Sequence, residues 1–385
     1  MTPADLSRTV LHAVRRAVDE DALRAPVPAR VRVERTRPGG SGDYACAVAL
    51  QLAGPAALPA LEVARILRDR VAAEPGVGRV EITGPGFLSF TLDAPGVSDR
   101  AVLAAVREQG LAYGHGDALR DEIHQFHHAR EVRAAVTAQA VRRLLTAQGA
   151  RVRTTCEQVP DPDWGRLGVT VDGHGTPPVP LTGIRPVPAG ATAGELLERL
   201  GPDAARWGLL RAAGHDRAAL GPELLVQGEA NPLFRVRYAH ARARALTRGA
   251  AALGFTAEAA AHATHGEGPA PYGAQAANAE PAPYGEIGTE PTPYDAAARP
   301  LLDLIADHPG VLLAGARHRA PDRVARQLEA VAHAFFDFHD SCPPLPAGDE
   351  KPSAAHRARL ALAEAAGTVL AGGLSLLGIR APEHL

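Results

Sequence analysis

Apolar positions in the first hundred residues switch between two periods. Leu6, Val10, Val14 and Val18 recur every four residues behind Thr2-Pro3, a capping residue followed by proline at the first helical position. This spacing predicts a helix over residues 2–20. Arg30–Arg35 alternates arginine and valine, which is a strand pattern. Leu61, Ala64, Leu67 and Val71 form a helical stripe within Leu58–Val71. Two strand-like runs, Gly78–Thr83 and Phe87–Leu92, are divided by Gly84-Pro85-Gly86, a strong turn signal. Helices and short strands mixed at this density predict a compact α+β domain.

Residues 101–155 read mostly as helix, closing on a strand at Arg151–Thr155. Residues 160–192 turn rich in proline and glycine, with weak strand patterns at Val169–Val171 and Val179–Leu181, and residues 193–260 return to helix. Gly266–Asp295 carries an internal repeat: Pro269-Ala270-Pro271-Tyr272, Pro281-Ala282-Pro283-Tyr284 and Pro291-Thr292-Pro293-Tyr294. It is too proline-rich to pack and predicts a disordered insertion between helices. Beyond Ala296 the pattern is helical, with amphipathic runs at 321–340 and 354–378.

Composition changes this picture at a few points. The chain has 385 residues, 46% apolar and 22% charged, which suits a soluble protein with buried cores. No run approaches the eighteen or so consecutive apolar residues of a membrane span, and MTPADLSRTV does not read as a signal peptide. The expectation is a cytoplasmic protein with no membrane partner. Cys46, Cys156 and Cys342 lie far apart and fit neither a disulfide framework nor a paired-cysteine zinc site. The net charge is −2, so a nucleic-acid surface has to be local. Lys351 is the sole lysine, and its Gly-Asp-Glu-Lys-Pro context excludes a P-loop.

Four separated stretches resemble the arginyl-tRNA synthetase family. Gly42-Asp43-Tyr44-Ala45 followed by Val48-Ala49 and Leu52-Ala53 is similar to that family's GDYA-x-x-VA-x-x-LA segment. Pro85-Gly86-Phe87-Leu88-Ser89-Phe90 resembles its PGFINF strand. Asn231-Pro232 through Tyr238-Ala239-His240-Ala241-Arg242 resembles its NP-x-x-Y-x-QYAHAR helix, and Leu376-Leu377-Gly378-Ile379-Arg380-Ala381-Pro382-Glu383 its LLGI-x-APE word. The resemblance covers the first hundred residues and roughly the last 190. It implies an N-terminal accessory α+β domain over 1–100 and a reduced α/β remnant of a class I core over 101–225. An all-α, DALR-type anticodon-binding bundle over 226–385 completes the expected fold.

The family's active-site words are weak here. Its HxGH motif sits on a loop-to-helix turn beneath ATP, where glycine admits the adenine and the histidines stabilise phosphate charge. The matching stretch is read as Gln125-Phe126-His127-His128-Ala129-Arg130, with Gln125 for the first histidine and His127 for the glycine. The family's lysine loop falls near Leu181–Arg185, where Arg185 is the only cation. About a hundred residues separate His128 from Asn231, roughly a third to a half of what a doubly wound core needs. The expectation is a degenerate core without catalytic residues.

Other constellations have plain alternatives. His124, His127 and His128 could suggest a metal cluster, with 124 and 128 on one helical face, but no third ligand type accompanies them and no metal is expected. Asp43 and Tyr44 belong to the accessory domain in the resemblance. His215, Asp216 and Ser375 make a hydrolase set only on paper, since no GxSxG elbow supports it.

The helix from Asn231 carries the strongest binding signal. Arg235, Arg237, Arg242, Arg244 and Arg248 contribute five positive charges without an acid, while Phe234, Tyr238, Ala241 and Ala245 line another face. A solvated basic face produced by arginine-rich coding is the alternative. The resemblance implies that Arg235, Arg237, Tyr238, His240, Arg242, Arg244 and Arg248 meet tRNA, joined by Arg326 and His339 beside the Phe335-Phe336-Asp337-Phe338 run. The function implied is a monomeric, tRNA-binding paralogue, by preference for arginine tRNA, without aminoacylation and without a cofactor. It could hand the tRNA to a partner enzyme. The alternatives are an active arginine–tRNA ligase using ATP and Mg, and a protein-interaction subunit.

Overall fold

The computed structural model describes all residues except 1–2, 37–41, 43, 73, 75–76, 93–94 and 259–296. Thr2, Asp43 and the whole proline repeat expected to be disordered lie outside the described residues. The first unit contains α1 (Pro3–Asp19), β1 (Val33–Arg35), β2 (Tyr44–Cys46), α2 (Val48–Ala56), α3 (Ala60–Val71), β3 (Val77–Thr83) and β4 (Phe87–Leu92). Its four strands are antiparallel in the order β1-β2-β4-β3. Most of the helical positions read from the sequence are buried with this sheet: Leu6, Val10, Val14, Ala64, Leu67 and Val71 share one cluster with Leu88 and Phe90. Leu61 of the expected α3 stripe is instead 45% exposed, and Val63 is buried in its place. At the β3–β4 turn Gly86 has φ +135°, and a Cβ there would stand 3.1 Å from the Ala60 backbone, so the glycine is required twice. β1 is shorter than the alternation suggested, beginning at Val33.

The second unit runs from α4 (Pro95–Gln109) through β5 (Ile123–His128), α5 (Val132–Ala147), β6 (Arg151–Cys156), β7 (Gly173–His174), β8 (Thr182–Ile184) and α6 (Ala193–Arg211). Its sheet is parallel throughout, in the order β7-β6-β5-β8. Residues 123–128 are therefore strand, not helix as expected. Phe126 and His128 are buried while Gln125 is exposed, an alternation that suits a strand covered on one side. The two weak strands also shift, to Gly173–His174 and Thr182–Ile184. The predicted continuous helix over 193–260 breaks after Arg211 and restarts at Pro232, and α6 kinks at Gly201 (φ 70°, ψ 171°) ahead of Pro202.

α5 is buried nearly all round and anchors this unit. Its N-cap, Glu131, accepts from the amides of Ala134 and Ala189, both at 2.8 Å. Arg133 is almost wholly enclosed and donates to five backbone carbonyls, those of Val187, Leu209, Ala212, Ala213 and Asp216, at 2.5–3.0 Å. Three of them belong to the end of α6, where helix carbonyls lack internal partners.

Among the described residues, four longer helices follow: α7 (Pro232–Ala252), α8 (Arg299–Arg317), α9 (Pro321–Ser341) and α10 (Ala354–Leu377). Among the described residues α10 alone is long and apolar enough to cross a membrane, yet 78% of its apolar window is packed inside. The parallel sheet and this bundle share one hydrophobic core, which runs from Val102 through Trp207 to Ile379, whereas the first unit has its own. An Arg299–Asp99 pair at 2.7 Å ties α8 to α4.

His308 on α8 sits entirely inside the bundle, stacked on Tyr113 at 6.0 Å and bonded through Nδ1 to Gln327 Oε1 at 2.6 Å. Burial pushes its pKa down to about 4. Between that value and the unfolded value near 6.5, the unfolded chain takes up a proton that the folded chain refuses. Its contribution is therefore fully present above about pH 6.5 and is lost as pH falls toward 4. At pH 5 this histidine alone should cost about 2 kcal/mol relative to pH 7.5, read by urea unfolding at both values. His128 and His240 shift in the same direction through burial and add to the effect. A His308→Gln chain whose stability falls just as steeply would remove His308 as a cause.

Candidate nucleic-acid interface

α7 starts where the sequence says it must. Asn231 caps it by accepting from the amides of Leu233 and Phe234, and its Nδ2 donates to the carbonyls of Leu224 and Val226 at 2.9 and 2.8 Å. Pro232 then occupies the first helical position. One helical edge turns outward beside α9. There Phe234 stacks on Tyr238 (5.7 Å, 7° between planes) and Tyr238 on Phe336 (5.5 Å, 23°). Phe335 meets Phe336 edge-on at 5.5 Å and lies 6.1 Å from the His339 ring. Tyr238 remains 44% exposed. Arg242, one turn further along, is exposed and donates from Nε to His339 Nε2 at 3.3 Å, and Asp340 supports the other ring nitrogen at 3.2 Å.

This is a row of π-faces with a cation at its end. Every nucleobase has a π-face, so such a row accepts unpaired bases with little sequence preference, and a guanidinium adds a phosphate or base-edge contact. Duplex nucleic acid keeps its bases stacked internally and gains nothing from it.

The α7 arginines are mostly engaged with partners within the chain. Arg237 is only 19% exposed and pairs with Asp203, itself held by Arg380 Nε at 2.9 Å. Arg244 and Arg248 reach Glu383 at 3.1 and 3.9 Å. Arg235 donates to the Glu229 carbonyl. His240 is buried, its Nδ1–H donating to the Gly367 carbonyl at 3.0 Å. The physical reason is charge pairing with acids that are distant in sequence. On α9, Arg326 is 62% exposed and pairs with Asp322, and His339 is half-buried at 21%. The structure thus brings together Tyr238, Arg242 and His339, and adds Phe234 and Phe336. The signal for Phe234 lay in its four-residue spacing from Tyr238, whereas nothing separated Phe336 from its buried neighbours Phe335 and Phe338.

The stretch aligned with HxGH also needs correction. Gln125, His127 and His128 lie within β5, paired to β6 and β8, and not on a loop-to-helix turn. His127 Nδ1 bonds the Thr155 hydroxyl at 2.8 Å, and buried His128 donates to the Ala129 carbonyl at 2.9 Å. His124 and His128 do share a face, as alternate strand residues, and His124 is taken by Glu122 at 3.0 Å. His215 lies beside Asp216 in the loop after α6, while Ser375 is on α10.

Comparison with known proteins agrees with the fold. Residues 5–92 match the family described as "Arginyl tRNA synthetase N terminal domain", and residues 236–385 match "DALR anticodon binding domain". An arginine–tRNA ligase of Frankia alni is 27% identical over 582 aligned positions, covering all of both chains. One of Pseudarthrobacter chlorophenolicus is 34% identical over 202 residues, half of this chain and 30% of that one. Among solved structures, Thermus thermophilus arginyl-tRNA synthetase superposes with a TM-score of 0.64 at 15% identity, covering 100% of each chain. The arginyl-tRNA synthetase of Plasmodium falciparum gives 0.58 at 8% identity, covering 100% of this chain and 99% of that one. The aromatic row lies in and directly before the residues matched as anticodon-binding.

Proposed function

Because this chain belongs to the arginyl-tRNA synthetase family, we propose that it binds tRNA through the Phe234–Tyr238–Phe336 row and does not charge it. The stack, open to solvent at Tyr238 and ending in Arg242 and His339, carries this reading. Unpaired anticodon bases extend the stack, while Arg242 holds the adjoining backbone. Arg235, directly after Phe234 on α7, adds positive charge beside the row. Arginine tRNA is the expected ligand by family.

A second reading, an arginine–tRNA ligase, is favoured by the full-length relatives, which are arginine–tRNA ligases. It would require ATP and Mg. The residues at the mouth of the parallel sheet do not fit ATP. β5 connects to α5 through Ala129, Arg130 and Glu131, with neither a glycine nor a histidine among them. Arg130 is turned to the Val159 carbonyl at 2.9 Å, and Glu131 is spent on capping α5.

Filter binding of the full chain with tRNA transcripts tests the first reading. Tyr238→Ala and Phe336→Ala should each weaken binding by about 1–3 kcal/mol, with a preserved melting temperature for the exposed Tyr238. Arg242→Gln should weaken it less and reduce the salt slope by about one. Wild-type affinity retained in Tyr238→Ala removes the row from the interface. No tRNA affinity even at low salt leaves the bundle as a protein-docking surface.

A further inference from the structure

A second feature of the bundle lies on the opposite side of α7, where the C-terminal segment crosses from α10. A cleft of about 650 Å³ opens there, lined among others by Arg143, His240, Arg244, Ser375, Arg380 and Glu383. Its floor is Gly378, the left-handed residue that ends α10 (φ +76°). A Cβ on Gly378 would fall 1.9 Å from Arg143 Nη1 and 2.2 Å from Arg206 Nη2, so two guanidinium groups converge on this glycine.

Their company is unusual in charge. Arg206 is 2% exposed and spends its Nε on the Leu377 carbonyl at 3.1 Å, which suffices to cap the helix end. Arg206 Nη2 and Arg143 Nη1 are buried without a hydrogen-bond partner. Burial and the neighbouring Arg143 charge pull Arg206 down to about 10. The acids nearby are committed: Asp203 to Arg237 and Arg380, and Glu383 to Arg244 and Arg248. Glu364, beside Arg244, is held toward its neutral form by burial. Buried cations without a matching acid are costly, and an anion bound in the cleft above Gly378 would offset their charge without touching the buried N–H groups.

We propose that this cleft binds a phosphate group, from an RNA backbone or a free nucleotide, through Arg143, Arg244 and Arg380, with Arg206 reinforcing the field from beneath. Arginine suits phosphate because its planar fork meets two oxygens at once. Glu383 occupies Arg244 until the phosphate arrives and is displaced by it. The C-terminal segment therefore acts as an internal competitor. The site stands apart from the aromatic row and does not rest on it.

The test titrates the full chain with ATP and, separately, with a tRNA transcript. Arg143→Gln and Arg380→Gln should each weaken binding about tenfold. Glu383→Gln should tighten it severalfold, a direction that damage to the fold cannot mimic. A nucleotide site shows these effects with ATP. A backbone site shows them with tRNA, together with a shallower salt slope in the arginine variants. Tyr238→Ala affects only the tRNA arm, so failure of the aromatic row is read separately. If neither ATP nor tRNA binding responds by more than twofold to any of the three variants, or if Glu383→Gln weakens it, the cleft is structural.

Discussion

Arginine-dependent exchange of pyrophosphate into ATP is expected to stay at the no-enzyme level with this chain. An active enzyme would exceed that level by at least about 10⁶-fold, so the assay separates the two readings without subtlety. The argument rests on what adenylation needs: a backbone open enough to receive adenine, and preorganised positive charge at the phosphates. Between β5 and α5 the chain has only Ala129-Arg130-Glu131, and each polar side chain there is already bonded to backbone. His127 and His128 are strand residues committed to Thr155 and to the Ala129 carbonyl. The one lysine, Lys351, lies in the loop before α10 and belongs to the bundle end of the chain. Exchange above background that disappears in a His127→Ala, His128→Ala double variant would overturn the non-catalytic reading and establish the ligase. Exchange that survives the double variant points to a co-purified host enzyme.

Arg133→Met should destabilise the protein by at least about 4 kcal/mol, the largest effect expected of any single substitution discussed. Methionine fills a similar volume, so little of the loss comes from packing. What changes is that five carbonyls lose their donor inside the protein, and each buried, unpaired polar group costs about 1–3 kcal/mol. Some relax toward neighbouring donors or water, which keeps the total below the sum. Arg133→Lys should recover only part, because three donors on a compact ammonium cannot reach five acceptors. Against a typical total of 5–15 kcal/mol, the methionine chain should unfold at markedly lower urea. A shift below 1 kcal/mol would mean that water reaches these carbonyls.

The sequence was most legible where one short segment determines its own geometry. The β3–β4 hairpin followed from Gly84-Pro85-Gly86, and the start of α7 from Asn231-Pro232. The stripe on α1 lay where its four-residue period put it. β5 was not legible, because Ile123 is its only β-branched residue and the rest, His-Gln-Phe-His-His, carries no strand signal beyond one aromatic; its partners β6 and β8 lie roughly 25–60 residues further along the chain. The arginines of α7 show the other limit. Their helical spacing was read correctly, yet Asp203 and Glu383 lie far away in sequence, so the spacing alone could not tell a paired arginine from a free one. The aromatic row was half legible: Phe234 and Tyr238 share an edge by spacing, but Phe336 joins them only through the packing of α9 on α7.

The single core shared by the parallel sheet and the bundle sets where this molecule has a seam. Its natural dividing line falls before α4, since the first unit keeps a cluster of its own. A cut between residues 225 and 226 would instead uncover Trp207, Leu209 and Leu210 on one fragment and their partners on the other. The sheet is in this sense a keel for the helices of the bundle. Because that core is continuous, a change that loosens β5 or α5 is expected to lower the stability of the bundle as well, read as one cooperative loss on unfolding of residues 95–385.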